Sequence, residues 1–374
     1  MLKPMKRFAF RQYKPGDEEA INQLYHAVTH RVRTIEEHRW QWLSAPAGAG
    51  DIWLIHEVED RGKEKLIGHH GVMPLRFTHG SQDLLFGKIE NTMVLPDYRT
   101  KILYPRFEIQ FKQSYQQRYH AIFATMGPEA AIRVRKAGGF QFPVEWCNYR
   151  MRTSWASELH CATVVINRIR RNRSNEESSG PSTSNSLAVQ SDQAFTAAGF
   201  MKGEEAGAAA FFQGFWDQAR QHHGVAPRRD IADLRWRFWE NPYKRHYTFV
   251  AENKTTCPAY AIVSASASAG KVARLEDYAV LHPSYENYRG LFLGLSKALS
   301  RAGIGVLSVA TTNDPCLYQP LQVFSSGRLF CDRLIEMARK RTPPRMPRYI
   351  TPIGEETGLE CGDWAVTGVV FEGR

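Results

Sequence analysis

The sequence predicts an α/β (α+β) fold carried in two copies, and three observations predict it. Residues 88–95 alternate as a strand, with Ile89, Asn91, Met93 and Leu95 on one side and Glu90, Thr92 and Val94 on the other. Pro96 and Asp97 end that strand, because proline donates no ladder hydrogen bond. Leu103, Phe107, Phe111 and Tyr115 then recur every four residues, the apolar stripe of a helix, and 120–125 reads as the next strand. The same order returns further on, past a stretch over 172–186 so rich in serine and asparagine that it cannot build a core.

Taken in order, residues 8–14 read as a strand. Pro15-Gly-Asp17 turns into a helix over 18–30, with Ile21, Leu24 and Val28 inward and Asp17 as its cap. A second short helix covers 35–43. Strands follow over 51–58 and 65–72, joined by a charged turn, and 74–78 and 84–95 continue the sheet. After the central strand, helix and strand come a helix over 130–137 and a strand over 142–153. The basic cluster Asn167-Arg-Ile-Arg-Arg-Asn-Arg173 precedes the flexible stretch and reads as solvated linker.

The second half repeats the first. Arg235-Trp-Arg-Phe-Trp-Glu-Asn-Pro242 matches Arg39-Trp-Gln-Trp-Leu-Ser-Ala-Pro46. Strands over 247–252 and 259–264 match 51–72. Arg274-Leu-Glu-Asp-Tyr-Ala-Val-Leu-His-Pro283 matches Lys88-Ile-Glu-Asn-Thr-Met-Val-Leu-Pro96. A helix over 290–302 with Leu291, Leu295 and Leu299 in register leads to a strand over 306–310. Five features in one order predict a duplication. The expected domains are 1–155 and 206–374, with 156–205 as linker. Trp40, Trp42, Trp236 and Trp239 are expected as packing anchors, since aromatics of this size dominate cores.

At 374 residues the chain has room for two domains, and its 43% hydrophobic content excludes the disordered class. The net charge of +11 suits an anionic partner: coenzyme A, a nucleotide-linked substrate, RNA or an acidic membrane. Six cysteines stand far apart with no metal-ligand spacing, so free thiols and no metal site are expected. The basic start lacks the apolar core of a signal peptide, and no stretch reaches the length of a membrane span. A cytoplasmic protein is the expectation.

Val94-Leu-Pro-Asp-Tyr-Arg99 resembles the pyrophosphate-binding motif of the GNAT superfamily of acyl-CoA N-acyltransferases. The opening Phe10-Arg-Gln-Tyr-Lys-Pro-Gly-Asp17 is similar to that of the family. Gly127-Pro-Glu-Ala130, followed by Lys136-Ala-Gly-Gly-Phe140, resembles its N-x-x-A … K-x-G-F segment, with one extra residue after the lysine. The family loop is glycine-rich, whereas Arg99-Thr-Lys-Ile-Leu-Tyr104 has no glycine, and Arg135 stands where a tyrosine acid is common.

The resemblance implies two tandem GNAT-like domains, each a mixed, mostly antiparallel sheet flanked by helices. It implies acetyl-CoA or another acyl-CoA as co-substrate, held by the backbone of Met93, Val94 and Leu95 and by Arg99, Thr100, Lys101, Ile102 and Leu103. A basic loop at a helix N-terminus suits phosphate. Glu90 lies where the family places its base, with Glu276 as its counterpart. Asn313-Asp-Pro-Cys-Leu-Tyr318 resembles the segment whose tyrosine protonates the leaving thiolate, which marks Tyr318 as a general acid. At most one of the adjacent histidines His69 and His70 faces the site, since neighbours on a strand point to opposite faces. The chain resembles tandem-GNAT sugar N-acyltransferases, so a primary amine on a nucleotide-linked sugar is the expected acceptor. The alternatives are a Fem-like transferase with aminoacyl-tRNA as donor, which the positive charge favours, and a degenerate, non-catalytic pair.

Overall fold

The computed structural model describes residues 7–58, 63–101, 114–115, 117–124, 133, 135, 139–140, 146–153, 192–202, 208–253, 256–265 and 272–312. The chain divides into two compact units, changing over between Pro143 and Val144. Each is a mixed sheet flanked by helices, the α/β architecture that the sequence predicts.

The first unit runs β1 (Arg7–Gln12), α1 (Glu18–Thr29), α2 (Ile35–Leu43), β2 (Asp51–Val58), β3 (Glu64–His79) and β4 (Gln82–Val94), then β5 (Ala121–Phe123). Its sheet is ordered β1-β2-β3-β4-β5. β1 and β3 lie antiparallel to β2, while β4 and β5 are parallel. α1 buries Ile21, Leu24 and Tyr25; Val28 is only half-buried. Asp17 does not cap α1. Its carboxylate accepts instead from both Arg11 guanidinium nitrogens at 2.7 and 2.8 Å and from the Lys14 backbone N–H at 2.7 Å. α2 starts on a capping box, in which Thr34 Oγ1 accepts from the Glu37 N–H and the Glu37 carboxylate from the Thr34 N–H.

The strands expected over 65–72 and 74–78 are one strand, β3, with Pro74 inside it. The β2 ladder ends at the pair Asp51 and Val72, so the missing proline N–H falls beyond β2. Beneath α2, Trp42 is fully buried against the sheet, and a Cβ on Gly71 would lie 2.0 Å from its ring. Glycine at that position is what admits the indole.

The second unit holds β6 (Trp146–Arg152), β7 (Met201–Lys202), α3 (Ala208–Ala219), β8 (Val225–Pro227) and α4 (Ile231–Leu234), which passes into a π-helical turn over Arg235–Trp239. Next come β9 (His246–Asn253), β10 (Thr256–Ala265), β11 (Val272–Val280), α5 (Tyr285–Arg301) and β12 (Val306–Thr312). The sheet order is β6-β12-β11-β10-β9-β7, and β11 and β12 form its parallel pair. α5 starts on Ser284, whose Oγ accepts from the Asn287 N–H, and buries Leu291, Leu295 and Leu299 on the sheet with Phe292 and Tyr288.

Two segments differ from the sequence expectation. The strand predicted over 142–153 pairs with β12, from Trp146–Thr312 to Arg152–Val306, and so belongs to the second sheet. Residues 192–202, expected within the linker, join the second core: Phe195 stacks on Tyr247 at 3.9 Å between ring centres, and Met201 pairs with Thr248. Their apolar side chains supply the physical reason. The serine-rich stretch 172–186 lies outside the described residues.

A candidate active site at two parting strand pairs

Each sheet holds a parallel pair that ends before its central strand does. In the first unit the pairing covers Phe86–Lys88 against Ala121–Phe123, while β4 runs on to Val94. In the second it covers Val272–Leu275 against Val306–Val309. Past that point β11 stays with β10, and β12 stays with β6. Among the described residues, the β11 edge beyond Leu275 has no β12 partner. Such an edge offers backbone donors to an extended ligand, as an added strand would use them.

Near each parting the central strand departs from regular geometry. On β4, Asn91 has φ = 48°, left-handed backbone that asparagine tolerates better than most residues. On β11, the pairing with β10 skips Glu276, jumping from Asp277–Ile262 to Leu275–Val263. The skip turns two successive carboxylates to one face. Glu276 meets Ser264 and Asp277 meets Tyr260, residues four apart on β10.

The two sites are built on one plan. A buried arginine precedes the N-cap of the second helix: Arg33 before Thr34, and Arg229 before Asp230. Each lies over an aromatic of the preceding helix, Arg33 over Tyr25 at 4.8 Å and Arg229 over Trp216 at 5.3 Å. Each reaches toward the bulge. Arg33 donates to Gln41 Oε1 at 3.2 Å, and the same oxygen accepts from Asn91 Nδ2 at 3.3 Å. Arg229 Nε lies 3.1 Å from both Asp277 oxygens, and the Tyr260 hydroxyl donates to that carboxylate at 2.6 Å. Burial would lower the Arg229 pKa, but Asp277 outweighs it and raises it.

The carboxylates before the bulges differ in their surroundings. Glu90 is buried against Lys88, with Nζ to Oε2 at 2.9 Å and Lys88 wholly shielded from solvent. The contact is an ion pair rather than a well-aligned hydrogen bond. Glu276 is equally buried, but its cations stand at the rim: Lys244 at 3.4 Å with 19% of its side chain exposed, and Arg274 at 3.6 Å with 36%. The Ser264 hydroxyl donates to Glu276 at 2.6 Å. Burial pushes the Glu276 pKa up, yet Arg274, Lys244 and Ser264 together hold it below the ordinary glutamate value. His246 lies near this carboxylate, with Nδ1 2.8 Å from the Phe238 carbonyl, and burial lowers its pKa to about 4.

His69 and His70 point to opposite faces, as expected for neighbours on a strand. His69 Nδ1 lies 2.8 Å from the Asn91 carbonyl, which accepts its proton and leaves the lone pair on Nε2; its ring meets Trp42 edge-on. His70 Nδ1 lies 3.0 Å from Thr92 Oγ1 on the other face, with Arg135 nearby. Burial lowers both pKa values, that of His69 to about 3.

Of the expected coenzyme residues, Met93 is buried and Val94 half-buried at the end of β4. The Leu95 N–H is taken by the Ile67 carbonyl at 2.9 Å. The basic loop is a 3-10 turn, Pro96–Lys101, and includes Thr100 and Lys101 as backbone. Arg99 Nε turns back to donate to the Val94 carbonyl at 3.2 Å. Ile102, Leu103 and Tyr318 lie outside the described residues. The residues that sequence reasoning missed are Arg33, Gln41, Ser264, Lys244 and Arg229; an arginine set directly before a capping residue in both halves was the available signal.

No protein-family model matches the sequence, and no curated protein matches it. Solved structures do match its fold. A probable N-acyltransferase from Enterococcus faecalis superposes with a TM-score of 0.54 at 11% identity, over 83% of this chain and 67% of that one. A GCN5-related N-acetyltransferase from Anabaena variabilis gives 0.53 at 13% identity, over 86% and 69%. At such identity the likeness is one of fold, in which mixed sheets flanked by helices agree.

Proposed function

We propose that this protein is an acyl-CoA-dependent N-acyltransferase acting on a primary amine. The observation that carries the reading is the parting of a parallel strand pair beside a bulge that bears a buried carboxylate. The strand past its last β12 pair offers a place for the pantetheine arm and for the oxyanion that forms on the thioester carbonyl. A carboxylate on the bulge can receive the proton that the amine must lose. The neighbours, a probable N-acyltransferase and an N-acetyltransferase, support the same class by fold.

Two seats for the coenzyme follow from the duplicated plan. In the first unit, Met93, Val94 and Leu95 would flank the acyl arm, with Arg99, Thr100, Lys101, Ile102 and Leu103 toward the pyrophosphate. In the second, the seat is the β11 edge beyond Leu275. With a net charge of +11, the molecule suits a coenzyme and an acceptor that both carry phosphates, such as an amino sugar linked to a nucleotide. The test is thiol release from acetyl-CoA, followed with a panel of amines that includes nucleotide-linked amino sugars. Release that depends on both protein and amine is expected. Release no faster than in buffer, with every amine and acyl donor tried, rejects the reading.

A further inference from the structure

We propose that His222 and His282, on the surface of the second unit, are the two protein ligands of a site for a borderline divalent cation such as Zn2+ or Ni2+. The proposal stands apart from the acyl-transfer reading and uses none of its residues.

The two imidazoles come from separate elements. His222 ends the 3-10 turn Arg220–His222 that follows α3, and His282 lies in the turn between β11 and the Ser284 cap of α5. Their ring centres are 4.9 Å apart, with 72° between the ring planes. Both residues are exposed. Among the described residues, neither ring makes a hydrogen bond or an ion pair. A neutral imidazole keeps one lone pair and suits zinc, nickel and copper. Its nitrogen binds such an ion at about 2.0–2.1 Å, which sets two ring centres about 5 Å apart around one tetrahedral ion. The observed separation fits that value. Rotation of the two exposed side chains is enough to turn the edge-to-face contact into shared ligation.

The main chain on both sides is held in place. The His282 carbonyl accepts from Asn287 Nδ2 at 2.7 Å, and the Leu281 N–H donates to the Pro258 carbonyl at 2.9 Å. Next to His222, His223 is buried with its ring stacked on Trp216. Only the two ligating side chains need to order on binding, which keeps the entropic cost small. The Cys257 thiol is close, but its Sγ accepts from the His282 N–H at 3.2 Å and so lies against the main chain. Among the described residues, no group of three histidine, cysteine, aspartate or glutamate side chains is placed to hold an ion. Water would fill the remaining positions, as in open rather than closed sites. A bound ion would link the end of α3 to the turn that leads into α5.

The test uses full-length protein stripped with EDTA and desalted. ZnCl2 is titrated by calorimetry into wild type, His222→Ala, His282→Ala and Cys257→Ser, and urea midpoints are read with and without zinc. The chain holds 13 histidines, so the reading is the difference between proteins. One ion equivalent should be kept in wild type and Cys257→Ser and weakened at least about tenfold in each histidine variant. Zinc should raise the urea midpoint of wild type more than that of either histidine variant. If an alanine variant does not fold, His222→Gln or His282→Gln takes its place, keeping a polar side chain without the imidazole. Titrations that coincide for wild type and both histidine variants overturn the proposal. A step lost in Cys257→Ser alone also overturns it, by assigning the ion to the thiol.

Discussion

His69, His223 and His246 are buried imidazoles whose pKa values burial lowers to about 3, 3 and 4. In the unfolded chain such groups titrate near 6.5, so between that value and the folded one the unfolded state binds more protons. The stability that depends on keeping them neutral is therefore fully present above pH 6.5 and is lost as pH falls toward 3 to 4. Each imidazole should cost on the order of 1–2 kcal/mol by pH 5. Chemical denaturation should show a midpoint that drops steadily from pH 7 to pH 5; a flat midpoint would contradict their burial. The sequence revealed the alternation that puts Lys88 and Glu90 on one face, but a charged pair two apart reads equally as a solvated strand. Burial depends on what covers the face, which comes from elsewhere in the chain. Asn91 carried a legible hint, since asparagine is a common non-glycine host for left-handed backbone.

At the scale of elements, strands and helices with strong periods were readable: β4, β11, β12 and α5 fall where alternation and the leucine stripe put them. Pairing was not. Nothing in 146–152 says that its partner is 306–312, because a ladder is made of backbone groups common to all residues. The bulges were missed for the same reason, as one skipped residue leaves composition unchanged. The clamp that fixes the β11 bulge has a measurable weight. Arg229→Met alone strands the Asp277 carboxylate in the core and should destabilise the protein by about 3–5 kcal/mol in urea titration. Arg229→Met with Asp277→Leu removes both charges and should recover most of that loss. Equal destabilisation by the single and the paired variant would mean that the ion pair is not what Arg229 contributes.

At the scale of the whole molecule, the repeat read from tryptophans and strand motifs has a physical counterpart. An arginine before the helix cap and an aromatic of the preceding helix beneath it occur in both units, and the arginine leads to neutral Gln41 and Asn91 in one and to charged Asp277 in the other. No described helix is long and apolar enough to cross a membrane. Sequence pattern reached the α/β class and the central strands of both units.

Calorimetric titration of acetyl-CoA into the full-length protein at low salt tests the central claim most directly. Saturable one-to-one binding in the micromolar range is predicted, weakened by added salt because the pyrophosphate is anionic. Absence of heat and of saturation up to millimolar acetyl-CoA would contradict the account.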